Sequence, residues 1–190
     1  MNPNTTPESR RDAIARVVIS LAATGGARAV THSAVDRRLD LPKGSTSYYF
    51  RTRADLIGAG AESMRHASHT EFSTLASRPD AAPAEVVRDY LVHLTTARPE
   101  EIRARLALAP ELEPGALSGL FFSHDSATSL FADAGADRPE LMATGLIDLL
   151  EGFLLRAALN SAPSASTLAL DGEAVLAATN AYLTGAALAH

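Results

Sequence analysis

Apolar residues recur along this chain with a period near 3.6, and the breaks between runs are marked by Gly, Pro and capping residues. Ile14, Val17, Val18, Leu21 and Ala22 form one stripe, which Gly25-Gly26 ends. Thr31 is suited to cap a second helix carrying Val35 and Leu39, and Asp40-Leu41-Pro42 breaks it. A third short helix is predicted from about Lys43 to Phe50. Thr52 and Asp55 have capping-box spacing and open a long fourth helix through Ile57, Gly60, Met64, Ser68, Phe72 and Leu75. Val87, Tyr90, Leu91 and Leu94 mark a fifth, and Ile102, Leu106 and Ala109 a sixth. Leu117, Leu120, Phe121, His124 and Phe131 mark a seventh. Asp137-x-Pro139-Glu140 starts an eighth that reaches about Asn160, and Asp171 caps a ninth.

No segment alternates with a period of two. The expected fold is therefore all-α: about nine helices, divided into a three-helix head (1–52) and a larger helical body (53–190).

Charge sharpens that division. Residues 1–53 hold nine basic and four acidic groups, +5, while the chain as a whole carries −5, so the remainder carries −10. A basic end on an acidic body suits a polyanion partner at one end; the plainer reading is solvated charges segregated by chance. The absence of cysteine excludes disulfides and thiolate metal sites. The first residues lack the apolar core of a signal peptide, and no apolar run is long enough to span a bilayer. The expectation is a cytoplasmic protein with no membrane association.

The stretch 31–56 carries the most chemistry. A capped helix, a tight turn and a short hydroxyl-rich helix are the parts of a helix-turn-helix, which lays its second helix in the major groove of DNA. Small side chains at Gly44, Ser45, Thr46 and Ser47 allow close approach to base edges. Lys43 suits guanine or phosphate, and the Tyr48 hydroxyl a phosphate oxygen. Thr31, His32 and Ser33 open a helix whose free N–H groups favour an anion. Arg53 is expected to grip phosphate on the far side, and Arg10 and Arg11 to reach the minor groove. Tyr49 completes the DNA-binding set, and with Val35, Leu39, Leu41 and Phe50 can also pack the head.

Residues 10–56 resemble the DNA-binding domain of the tetracycline-repressor (TetR) family. The residues that carry the likeness are Thr31, Val35, Asp36, the turn Leu39-Asp40-Leu41-Pro42, Gly44, Tyr49-Phe50, Arg53 and Leu56. Three positions depart from the family pattern. Asp36 stands where Ala is usual, Asp40 where Gly is usual, and Ser47 where Tyr is usual. Asp tolerates the left-handed turn better than most residues.

The resemblance implies a homodimeric, ligand-responsive regulator, most simply a repressor, on a palindromic double-stranded DNA operator. It implies a small-molecule effector pocket within helices four to seven and dimerisation through helices eight and nine. Polar or aromatic residues near apolar stripes supply pocket candidates: His66, Tyr90, His93, Arg103, Phe121 and His124, with His69 and Phe122 beside them. Dimer candidates are Leu146, Leu149, Leu150, Phe153, Leu154, Leu176, Leu183 and Ala186. The effector is expected to be largely apolar.

Glu62, His66 and His69 have metal-ligand spacing but lack supporting ligands, and Asp148 with Glu151 lacks a nucleophile. No catalytic residue, metal or cofactor is assigned. The rival expectation is a helical small-molecule binder or enzyme with no DNA role.

Overall fold

The computed structural model describes residues 9–112, 119–162 and 164–187. Among these residues, nine α-helices follow the predicted order: α1 Arg10–Gly25, α2 His32–Arg38, α3 Ser45–Tyr49, α4 Arg53–Ala76, α5 Pro83–Ala97, α6 Pro99–Leu108, α7 His124–Asp133, α8 Pro139–Leu159 and α9 Gly172–Ala187. No strand occurs among the described residues, and none of their helices is long and apolar enough to cross a membrane.

The start signals act as the sequence reading expects. Thr31 Oγ1 accepts from the Ala34 amide at 3.2 Å. The Thr52 hydroxyl accepts from the Asp55 amide at 3.0 Å while Asp55 accepts from the Thr52 amide at 2.9 Å, a reciprocal capping box. Asp171 accepts from the amides of Glu173 and Ala174. Asp40, at the turn after α2, takes φ 52°, a conformation that Asp enters at lower cost than most side chains.

Two boundaries differ. The third helix starts at Ser45, because Gly44 takes φ 92° and serves as its N-cap. The seventh starts at His124, where the Ser123 hydroxyl accepts from the Ser126 amide at 3.1 Å. Leu120, Phe121 and Phe122 thus lie in the loop before α7, all buried; Leu117 lies outside the described residues.

One continuous apolar core runs from head to body, joining Ile14, Val18 and Val35 to Leu56, Tyr90, Leu108 and Leu154. Helix α1 packs against both α4 and α6, so it belongs to the head by sequence and to the body by packing. Its stripe is rotated from the sequence expectation: Ile14, Ala15, Val18, Ile19 and Ala22 are buried, and Val17 and Leu21 only partly so. Helix α1 meets α4 at Gly60, where a Cβ would lie 2.7 Å from Val18 Cγ1. Val18 is fully buried and stiff at χ1, so it cannot yield. Gly60→Val is therefore expected to cost about 1–3 kcal/mol through overpacking, read as a lowered midpoint in thermal unfolding.

Candidate nucleic-acid interface and ligand cavity

The head is held together by a buried carboxylate. Asp36, on α2, is 4% exposed. Its Oδ2 accepts from the Gly44 amide at 2.7 Å, and its Oδ1 from the Thr46 amide at 2.8 Å and the Thr46 hydroxyl at 2.5 Å. The side chain of one helix thereby satisfies free N–H groups at the start of the next. The Leu41 amide donates to the Asp36 carbonyl at 2.8 Å and tightens the same turn. Burial alone would raise the Asp36 pKa. The hydrogen bonds from Thr46 and Gly44 outweigh it, and the carboxyl sits below its ordinary value.

That contact corrects one sequence expectation. Thr46 is fully buried and turned toward Asp36, so its side chain is not offered to a base. The outer face of the α3 region consists of Lys43, Gly44, Ser47 and Tyr48, all exposed, with Tyr48 at 85%. Ser45 is half-buried and donates to the Pro42 carbonyl at 2.7 Å, while Tyr49 packs toward the core. Thr31 and Ser33 are exposed. His32 is half-buried and its Nε2 lies 2.8 Å from the Phe50 carbonyl, tying α2 to the end of α3. Arg37, Arg38 and Arg51 are exposed cations of the head that the sequence reading left unassigned; all three are without an ionic partner among the described residues.

Arg53 is also reassigned. It donates to the Val30 carbonyl (3.1 Å), the Ala27 carbonyl (2.6 Å) and the Glu111 carboxylate (2.7 Å). It is a clamp joining the start of α4, the loop after α1 and the turn after α6, rather than a free phosphate contact. Arg11 lies 4.9 Å from the Phe50 ring centroid, and Arg10 begins α1; both belong to a helical turn rather than to an extended arm.

The body contains a cleft of about 620 Å³ bounded by α4, α5, α7, α8 and the 119–123 loop. Phe72, Phe121, Phe122, Val87, Leu146 and Leu150 supply apolar wall. Tyr90 stands behind, edge-on to Phe72 and Phe122 at 5.4 and 6.1 Å. Its hydroxyl donates to the Phe121 carbonyl at 2.8 Å, and burial pushes its pKa up to about 12.

Of the six pocket candidates, Phe121 lines this cleft; His69 and Phe122 do as well. The others are placed elsewhere. His66 is exposed on α4. Tyr90 is the buried support just described. His93 pairs with Glu71 at 2.7 Å. Arg103 donates to the Ala165 carbonyl at 2.7 Å and holds the α8–α9 loop. His124 is exposed, 3.1 Å from Thr144 Oγ1. Helical periodicity identifies a face but not which neighbour covers it, and His93, Arg103 and His124 lie at contacts between elements. Glu62 pairs with Arg65, and no group of metal ligands forms among the described residues. Glu151 meets Arg105 at 2.5 Å within the same chain, while Asp148 is exposed.

The dimer candidates divide similarly. Leu146, Leu150 and Leu154 are buried in the chain's own core. Leu149, Phe153, Leu176 and Leu183 are half-buried, and the side chain of Ala186 lies outside the described residues. The outer face of α8 instead carries Leu141, Thr144, Asp148, Gly152, Leu155 and Leu159, spaced three and four apart and all exposed.

Removing the Asp36 carboxylate strands the buried Thr46 amide. Asp36→Ala is expected to cost about 1–3 kcal/mol and to speed hydrogen exchange at Thr46. Because the folded-state pKa is lowered from 3.8, the carboxylate's stabilisation is present above about pH 4 and is lost as pH falls through the lowered value. The variant should accordingly show a flatter acid limb in a pH series of urea melts.

No family model and no curated protein matches the chain. Solved structures do. A transcriptional regulator from Rhodococcus sp. Rha1 aligns with TM-score 0.73 and 17% identity over 94% of this chain and 98% of its own. A TetR-family member from Streptomyces coelicolor A3 aligns at 0.68 and 22% over 92% and 98%. The multidrug binding protein EbrR, solved with ethidium, aligns at 0.65 and 24% over 92% and 98%. The chain has the fold of the TetR-family transcriptional regulators.

Proposed function

We propose that the protein is a homodimeric, ligand-responsive transcription regulator of the TetR family, acting in the cytoplasm as a repressor rather than as an enzyme. The observation that carries this reading is the reach of α4. Its first residue, Arg53, clamps the head, and its last turns, at Ser68, His69, Phe72, Ser73 and Ala76, form a wall of the cleft. At 1.5 Å per residue the helix spans about 36 Å. A molecule entering the cleft presses on a rigid element whose other end sets the position of the head. EbrR, of the same fold, was solved with ethidium and with proflavin, which supports a small-molecule role for the body.

In this reading Lys43, Gly44, Ser47 and Tyr48 face the major groove. Thr31, Ser33, Arg37, Arg38 and Arg51 approach the backbone. Two heads related by a two-fold axis read a palindromic operator. The exposed α8 stripe with Leu155 and Leu159 meets its copy. The ligand releases DNA only insofar as it prefers the arrangement that DNA disfavours, and DNA weakens ligand binding by the same factor.

A salt-dependent titration of the protein against DNA flanking its own gene tests the reading, with Lys43→Ala/Tyr48→Ala as the comparison. Tight binding that weakens steeply with salt and is lost in the double variant is expected. Equal binding by the two proteins at low salt would leave a helical small-molecule binder. Arg53→Ala should lower the unfolding midpoint without lowering the salt slope by the unit that loss of a phosphate contact would give. Leu155→Glu/Leu159→Glu should convert the dimer to monomer in light scattering and weaken operator binding while leaving helicity intact.

A further inference from the structure

Glu111 is a carboxylate of the body set among cations of the head. It ends the short turn after α6 and takes both terminal nitrogens of Arg53. Arg53 Nη1 donates to Oε2 at 2.7 Å and Nη2 to Oε1 at 3.3 Å. The hydrogen bond and charge of Arg53, with the exposed Arg28 beyond it, outweigh burial and hold the Glu111 carboxyl below its ordinary value.

The other bonds of Arg53 do not depend on Glu111. Its Nε donates to the Val30 carbonyl at 3.1 Å and its Nη2 to the Ala27 carbonyl at 2.6 Å. Those carbonyls fix the guanidinium just before Thr31, where the regulator reading brings the DNA backbone. Nη1 has Glu111 as its one hydrogen-bond partner among the described residues. A guanidinium fork fits a carboxylate and a phosphate in the same way, so Glu111 occupies the place a phosphate would take. The two side chains are 37% and 34% exposed, and an ion pair so open to water is weakly held. With the carboxylate withdrawn, the fork stays oriented by the two carbonyls, between the exposed Arg28 and the exposed Arg51 in the chain.

We propose that Arg53 is the centre of a phosphate site that Glu111 masks: the body withholds this guanidinium from the operator backbone, and separation of the turn after α6 from the start of α4 opens it. The inference rests on the regulator reading and adds a sign to it. Arrangements that keep Glu111 on Arg53 bind DNA less tightly. Arg98, the residue before α6, donates to Ser68 in the cleft wall at 3.1 Å, so the mask and the cleft are joined to opposite ends of one helix.

The test is a set of salt-dependent titrations of the full chain against the DNA flanking its own gene. Four proteins are compared: the parent, Glu111→Gln, Arg53→Ala and Glu111→Gln/Arg53→Ala. Thermal unfolding checks that each is folded, as the exposure of the pair leads one to expect. Glu111→Gln should bind several-fold more tightly at low salt and steepen the log–log salt slope by about one unit. Its advantage over the parent should then shrink about threefold between roughly 50 and 200 mM salt. Both gains should vanish in the double variant, whereas Arg53→Ala alone should not lower the slope by that unit. A gain that persists without Arg53 is the general effect of deleting a negative charge, and it overturns the proposal. So does a folded Glu111→Gln with the parent's slope. Binding by all four proteins with one common slope removes the masked site and leaves the regulator reading; no salt-dependent binding by any of them removes both.

Discussion

Everything in this fold depends on α4 keeping one rigid geometry while serving two sets of neighbours. Its first half lies against α1 at Gly60, so close that Val18 occupies the space of a Cβ. Its last turns form a wall of the cleft. A close-packed interior has little capacity to absorb a shift gradually. The Gly60–Val18 contact and the cleft wall at Phe72 thus lie on one continuous helix. The Arg53 clamp fixes the near end, drawing together two carbonyls of the loop after α1 and the Glu111 carboxylate beyond α6. The head is thus attached to the body through α1, α4 and α6 together.

Within the head, a short helix of five residues cannot hold itself in place. Asp36 supplies what α3 lacks. Its carboxylate takes two amides and a hydroxyl at the start of the helix, from a position buried under the turn. The consequence is a division of labour along α3: Thr46 is used inward to anchor it, and Ser47 and Tyr48 are left outward. The arrangement also exchanges an apolar head contact for a charged one, which makes the orientation of α3 sensitive to loss of a single carboxylate.

The charge pattern follows the same logic at larger scale. In the body, arginines at helix junctions are matched to glutamates: Arg98 with Glu71 and Glu101, and Arg105 with Glu151. In the head, Arg37, Arg38, Lys43 and Arg51 remain exposed and unmatched among the described residues. Paired charge thus organises the interior of the body, while exposed positive charge marks the head.

The sequence alone determined the helices, their order and most of their ends, because these follow from local rules: a 3.6-residue period, Thr31, Thr52 and Asp171 as caps, Gly and Pro as breaks. It also determined where the helix-turn-helix lies and that residue 40 would accept a left-handed turn, since both are set by neighbours within a few positions. Only the tertiary structure decided which polar side chains look inward. Thr46 and Tyr48 are two residues apart on a hydroxyl-rich helix; Asp36, on another helix, buries the first and leaves the second open. Arg53 was legible as a cation beside the motif, but the carbonyls that occupy it come from a loop more than twenty residues away and its carboxylate from the turn after α6. Most of the candidate pocket histidines lie off the cleft for the same reason: periodicity tells which face of a helix is apolar, whereas the assignment of a face to a cavity, a junction or solvent depends on helices that are distant in the chain.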